Sequence, residues 1–305
     1  MSTSLTQPFL RVSESAVTLR SQARVSLIVT TRNRVNELNK LLQSLERQTY
    51  PDFEVLVVDQ NSGPEVRDLL EGRAFRQQYF QSDKRGAARG RNVMLPLAQG
   101  EILAIPDDDC WYPPDLLGTV VQWFDQHPDI DLLCVLECNS RGEPMVPQNP
   151  PIAGFCTDQP VGLRMQRSVW MAQSSMVFMR RQVRDTIGIL QESIGVGADT
   201  KYQSGEETDY FLRALHAGFK MWFEPSIKVF HVELRDTARL RKTVYPYSLG
   251  TGHTLRLHGC KLSRLIAVVC RSFGRALLSA CELQFAQVPI YLRRGVGILV
   301  GYFGW

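Results

Sequence analysis

Apolar positions along the chain follow two periods. Residues 25–30 (Val-Ser-Leu-Ile-Val-Thr) and 53–58 (Phe-Glu-Val-Leu-Val-Val) are short runs rich in β-branched residues and apolar on both faces. That is the pattern of strands buried in a parallel sheet. Between them, residues 35–48 set Leu38, Leu41, Leu42 and Leu45 on one helical stripe, and Tyr50-Pro51-Asp52 breaks it. Strand, helix and strand in this order predict a βαβ unit with a right-handed crossover. The same reading predicts helices over 65–72, 86–97, 113–127 and 206–218. It predicts strands over 101–106, 131–137, 176–179 and 220–223. Pro and Gly dominate 139–162, and Gly and Asp dominate 188–202, so two long loops are expected.

The C-terminal part reads differently. Over 261–283, at about 100° per residue, Lys261, Arg264, Arg271 and Arg275 fall within roughly 80° of arc. Leu262, Leu265, Ile266, Val269, Phe273 and Leu277 take the other side. The pattern predicts a helix lying in a membrane interface, or an amphipathic helix packed on the body of the protein. Charges interrupt every window of about 20 residues, which excludes a spanning helix. A second apolar patch, 296–305, holds Tyr302, Phe303 and Trp305, aromatics that suit the headgroup level.

Composition adds two points. With 44% hydrophobic and 22% charged residues, the 305-residue chain is an ordinary globular protein with enough apolar residues for a large core. The net charge of +4 hides an asymmetry: from His231 onward there are eleven Lys or Arg against three Asp or Glu. A mildly acidic body therefore carries a basic tail, which points to an anionic partner. The seven cysteines show no paired metal spacing and read as reduced and mostly buried, which predicts a cytosolic protein. Residues 1–24 are polar and lack the apolar stretch of a signal peptide.

Candidate chemistry begins with Asp107, Asp108 and Asp109, which follow the apolar run 101–106. Adjacent carboxylates repel, and burying them unpaired is costly, so a cluster at a strand's carboxyl end suits a hard divalent cation. A solvated acidic turn is the alternative. Asp59 also ends a strand, where a carboxylate can accept hydrogen bonds from a base or ribose, or simply close a turn. Arg91 can pair with a pyrophosphate or lie on the surface. Glu206, Glu207 and Asp209 open a helix; they are candidates for general-base work and are also good first-turn chemistry. His231, after a predicted strand, is a candidate metal ligand beside the acidic cluster or a structural histidine.

Taken in order, these pieces resemble the family 2 glycosyltransferases, whose fold is GT-A. The matching pieces are 25–34 with the helix after it, the strand ending at Asp59, and residues 85–92, which close on Arg91-Asn92. They continue with the acidic motif inside 100–117, the stretch 205–220, and His231. The resemblance covers about 25–231 and is looser beyond 247. It implies an α/β fold with a mostly parallel sheet flanked by helices: an extension over 1–24, a GT-A domain over 25–232, and a basic helical tail over 233–305. The nucleotide half of that domain would span about 25–110 and the acceptor half about 111–232.

The resemblance further implies an inverting, metal-dependent transfer from a nucleotide-sugar to a hydroxyl of a saccharide or lipid-linked saccharide, in cell-surface polysaccharide or glycolipid synthesis. Thr30, Arg32 and Asp59 would hold the nucleoside, and Arg91 would face the diphosphate. Asp107 and Asp108 would lie on the nucleotide side. Asp109, with Asp107 and His231, would bind Mg²⁺ or Mn²⁺. Glu207 would be the base, supported by Glu206 and Asp209. The family usually has Asp where this chain has Glu207, so Glu206 stays open as the base. Peripheral attachment to the cytoplasmic face of an inner membrane is expected from the tail.

Other classes fit less well. A nucleotidyltransferase would want glycines after the first strand, where this chain has Thr31-Arg32-Asn33-Arg34. An NAD enzyme would need a G-x-G-x-x-G after a strand. A nucleic-acid binder would interleave exposed aromatics with its basic residues. A catalytically inactive scaffold that binds membrane keeps the same fold but has no use for the full acidic set.

Overall fold

The computed structural model describes residues 22–145, 152–158, 168–232 and 237–305. Residues 1–21 of the N-terminal extension and parts of the 139–162 loop lie outside the described residues. The two apolar runs form β1 (Val25–Thr31) and β2 (Phe53–Asp59), parallel and in register from Val25 opposite Phe53 to Thr31 opposite Asp59. Helix α1 (Val35–Glu46) joins them and buries Leu38, Leu41, Leu42 and Leu45 as the stripe requires. After α2 (Glu65–Leu70), β3 (Arg76–Gln81) adds a parallel edge beside β2.

The chain then crosses back through α3 (Ala87–Met94) to β4 (Ile102–Ala104), on the other side of β1. β1 and β4 thus have connections leaving in opposite directions, and the crevice beyond their carboxyl ends is the place where such sheets bind ligands. Residues 105–109 occupy that position.

Beyond it the sheet becomes mixed. β5 (Cys110–Trp111), α4 (Leu116–Gln126), β6 (Leu132–Cys138), β7 (Gly154–Phe155) and β8 (Val177–Arg180) follow in the chain. α5 (Arg181–Ile187), α6 (Glu206–His216) and β9 (Met221–His231) complete this part. The order is β3-β2-β1-β4-β8-β6-β9-β5, with β7 also on β9. β8 runs antiparallel to both β4 and β6, whereas β6 and β9 are parallel. β9 is longer than the predicted strand because it continues through Pro225. A register shift opposite Val135 and Leu136 absorbs the residues around that proline, as a bulge does. Pairing resumes with Leu136 opposite Lys228, and β9 goes on to place His231 opposite Cys110.

Three helices close the chain: α7 (Thr237–Leu257), α8 (Leu262–Cys281) and α9 (Val288–Phe303). α7 and α9 pack at backbone distance. A β-carbon on Gly252 would collide with Ile298 O, and one on Gly301 with Leu249 O. These helices share a small core of Leu255, Cys260, Leu265, Val269 and Ile298, apart from the main core around the sheet. The apolar side expected of α8 is split. Leu265 and Val269 are buried in that core, Phe273 is half-buried, and Leu262, Ile266 and Leu277 face outward. No helix among the described residues is long and apolar enough to cross a membrane.

Candidate active site

The acidic motif sits in the crevice and is tied to its walls. Asp108 is buried; its Oδ2 accepts from the Thr31 hydroxyl at 2.8 Å and its Oδ1 from Arg34 Nη1 at 3.0 Å. The same guanidinium nitrogen donates to Asp109 Oδ2 at 2.5 Å. Asp109 Oδ1 lies 2.9 Å from His231 Nε2, and the other ring nitrogen of His231 is 2.9 Å from Val232 O. Both partners of the ring are acceptors. Burial alone would lower the imidazole, but the hydrogen bond to Asp109 and the nearby carboxylates push it up to about 9. Burial also pushes the Asp107 carboxyl up to about 7, against the pull of Arg91.

The buried guanidinium of Arg91 faces protein carboxylates. Nη2 donates to Asp107 Oδ1 at 2.8 Å and to Ser174 Oγ at 2.9 Å. Nη1 donates to Glu207 Oε1 at 2.9 Å, with Glu206 Oε1 at 3.5 Å. Ser174 in turn donates to Glu207 Oε1 at 2.6 Å. One arginine thereby joins the acidic motif after β4 to the first turn of α6. The physical reason for its inward turn is charge: three carboxylates in a low-dielectric crevice need a shared cation. Glu206 is the deeper of the two glutamates, its side chain 6% exposed against 20% for Glu207. Its carboxyl presses on Gly195, where a β-carbon would come within 2.6 Å. Burial, together with the neighbouring Glu207, raises Glu206 to about 7.

The remaining residues named from the sequence are placed as follows. Thr30 lies near the end of β1 with a buried hydroxyl that has no hydrogen-bond partner. Arg32 is exposed on the loop after β1. Asp59 is fully buried; Oδ1 accepts from Asn61 N and Nδ2 at 2.9 and 2.6 Å, and Oδ2 from Tyr79 OH at 2.9 Å. Asp209 shares the first turn of α6 but is engaged by Arg213 and His258, away from the arginine hub.

Three residues of the crevice escaped the sequence reading. Arg34, the N-cap position of α1, holds both Asp108 and Asp109. Ser174 carries no sequence signal. Glu137 does: a lone carboxylate inside the apolar strand β6, buried and hydrogen-bonded by Ser175 Oγ at 2.7 Å. Burial raises its pKa, opposed by His231.

Asp107, Asp109 and His231 each offer a ligand atom within 4.8 Å of the others. Two carboxylates and an imidazole on one spot fit a divalent cation that takes its other ligands from phosphate oxygens. The carbonyl of Val232 fixes Nδ1–H, leaving Nε2 to the metal side, which is the usual outer support of a ligating histidine.

Comparison with known proteins places the chain in a family. Residues 26–188 match the family described as Glycosyl transferase family 2. The chain belongs to glycosyl transferase family 2. An uncharacterized glycosyltransferase of Haemophilus influenzae is 34% identical over 110 residues, 36% of this chain and 37% of that one. Poly(ribitol-phosphate) beta-N-acetylglucosaminyltransferase TarS of Staphylococcus aureus is 30% identical over 128 residues, 40% of this chain and 22% of its own. The match therefore spans little more than a third, or less, of these relatives' lengths. Among solved structures, S. aureus TarS 1–349 superposes with TM-score 0.57 at 18% identity over 92% of both chains. The mannosyltransferase PcManGT of Pyrobaculum calidifontis, solved with GDP-Man and Mn²⁺, superposes with TM-score 0.63 at 15% identity, over 92% of this chain and 87% of that one. At these identities the likeness is one of fold, and that fold is GT-A.

Proposed function

We infer that this family 2 member is an inverting glycosyltransferase that moves a sugar from a nucleoside diphosphate to a hydroxyl of a saccharide acceptor. The observation that carries this reading is the Arg91 hub, which ties Asp107 of the metal-type cluster to Glu207 across one crevice. An enzyme of this kind needs charge stabilisation at the leaving diphosphate and a base on the opposite side of the reacting carbon, held at a fixed separation. Asp107, Asp109 and His231 would hold Mg²⁺ or Mn²⁺, which supplies positive charge for the diphosphate. Glu207 is the more accessible glutamate and takes the proton of the acceptor hydroxyl as its oxygen bonds to the anomeric carbon. The bond from that carbon to the diphosphate oxygen breaks, and the nucleoside diphosphate leaves. Attack opposite the leaving group inverts the anomeric configuration. Glu206, deeper and raised by burial, supports Arg91.

Thr30, Arg32 and Asp59, the last through Tyr79 and Asn61, form the nucleoside wall; Asp108 braces Thr31 and Arg34 beneath it. Residues 25–232 act as the catalytic unit and 233–305 as its appendage. PcManGT was solved with GDP-Man and TarS 1–349 with UDP-GlcNAc. Uridine and guanosine diphosphate sugars are accordingly the first donors to try.

The appendage favours an anionic membrane surface. Leu277, Leu283, Phe285 and Trp305 are 67%, 75%, 64% and 74% exposed, and Lys261, Arg264 and Arg275 are exposed on the same helical unit. Apolar side chains flanked by basic ones suit a lipid headgroup layer, and a lipid-linked saccharide at that surface is the matching acceptor. The expected place is the cytoplasmic face of an inner membrane, in the synthesis of a surface polysaccharide or glycolipid.

The test is a thermal-shift screen of nucleoside diphosphates and sugar nucleotides with Mn²⁺, with Mg²⁺ and with EDTA, followed by turnover of whichever binds. A metal-dependent shift with one nucleotide, lost in Asp109→Ala, supports the reading. Absence of both binding and turnover points to the inactive scaffold.

A further inference from the structure

The first turn of α6 has no side-chain cap. Gly205, the residue before it, is left-handed at φ 102° and has no side-chain oxygen to cap the free amides. The turn also crowds Glu206, Glu207 and Asp209 together. Besides Arg91, Ser174 and Arg213, α7 also holds it. α7 packs so tightly over the approach to α6 that a β-carbon on Gly205 would collide with Thr254 Oγ1, and one on Gly250 with Ser204 O. Ser204 Oγ donates to Tyr247 O at 2.6 Å, and Gln203 N donates to Pro246 O at 3.2 Å.

The end of α7 is aimed at the same turn. Gly259, left-handed at φ 62°, donates to Arg256 O at 3.0 Å, and Cys260 N donates to Leu255 O at 2.9 Å. This is the paired-bond helix stop in which a left-handed glycine follows the cap residue, here His258. It places His258 at the C-terminus of α7, with its side chain mostly buried and Nε2 3.0 Å from Asp209 Oδ1. The other oxygen of Asp209 accepts from Arg213 Nε at 2.9 Å. Burial would raise the Asp209 carboxyl, but these partners hold it below the usual carboxylate range.

We propose that His258 is a positioning residue: from α7, beyond the segment matched to the family, it anchors Asp209 and so fixes the turn that carries Glu207. The inference rests on the reading of Glu207 as the base. Glu207 and Asp209 lie within one helical turn, and that turn moves as a unit. Arg91 and Ser174 restrain the Glu207 carboxylate; His258 restrains the backbone beneath it. A displacement of about 1 Å at such a group can cost about a hundredfold in rate.

The experiment compares the full-length wild type with His258→Leu and His258→Gln. Glutamine can present an N–H close to the position of Nε2, whereas leucine cannot. Backbone hydrogen exchange over 203–210, without substrate, reads the anchor; steady-state kinetics on the best donor read its use. His258→Leu is expected to speed exchange there about tenfold and to lower kcat about tenfold, with the donor KM within about twofold, and His258→Gln to restore most of both. Unchanged exchange in His258→Leu overturns the proposal. So does a glutamine variant as poor as leucine, or a change confined to KM. If the wild type turns over no sugar nucleotide, the functional reading fails, and the exchange data still decide whether His258 holds the turn. Should His258→Leu lose its cooperative melt, His258→Gln and Asp209→Asn, which keep the volumes, carry the same comparison.

Discussion

The crevice beyond β1 and β4 keeps charge inside, while the α8–α9 pair keeps apolar side chains outside. In the crevice, Asp108, Asp109, Glu206 and Arg91 are all buried, and each has an opposite partner within the chain. On α8, α9 and the segments that flank them, Leu262, Ile266, Leu278, Leu283 and Phe285 are more than half exposed, and the core beneath is small. Both arrangements cost stability. Buried ions lose hydration that pairing only partly returns. Exposed leucines forgo burial that folding could have given them, and a contiguous patch of them marks a surface that something else covers. The first region pairs its charges within the chain; the second leaves large apolar side chains exposed.

The largest effect should come from breaking the pairing inside. Arg91→Ala leaves Asp107, Glu206 and Glu207 facing each other without their shared cation. A loss of about 3–5 kcal/mol in unfolding free energy is expected by denaturant titration. A loss under about 1 kcal/mol would mean the crevice is wetter than the burial implies. Glu207→Gln sharpens the same region without removing the hub's shape. It should lower kcat by roughly 10²–10⁴ and leave nucleotide-induced thermal shifts in place.

The third test uses pH. In metal-free protein His231 is raised to about 9 from its ordinary 6.5 by Asp109, so the folded state holds the proton more tightly than the unfolded chain. The resulting stability is fully present below about pH 6.5 and is lost as pH rises towards 9. The drop should be at most roughly 3 kcal/mol, and His231→Gln should flatten that part of the curve. The smallest effects belong to the outer surface. Leu277→Gln or Phe285→Gln should weaken flotation with anionic vesicles by about 1–2 kcal/mol each while barely moving the melting temperature. A lower melting temperature with unchanged flotation would turn the comparison around and make these residues part of the protein's own packing.

The two regions were also unequally legible in the sequence. β1 and β2 were plain because both faces are buried, so nearly every position is apolar. β3 was missed because Arg76–Gln81 is an edge strand with half-buried polar residues and no period to read. α7 was hidden by Pro246, Gly250 and Gly252, residues that usually end helices. Here the glycines admit the approach to α6 and α9 at close range. The acidic motif and the α6 glutamates were visible as clusters. Their union was not, because Arg91 bridges partners 16 and 116 residues away, and no local pattern encodes such a contact. The carboxylate partners of Arg91 are products of that long-range packing, whereas Asp59 is closed in by Asn61 two residues on and by Tyr79 on the neighbouring strand.

The hub at Arg91 also constrains how this protein can change over generations. Losing the arginine alone strands three carboxylates, and neutralising a single carboxylate leaves the rest still dependent on it. A lineage could drift away from the arrangement only through nearly simultaneous replacements at Arg91, Asp107 and the α6 glutamates. Each intermediate sequence would fold worse than either end point. Descendants that abandon the chemistry should therefore have exchanged these positions as a block.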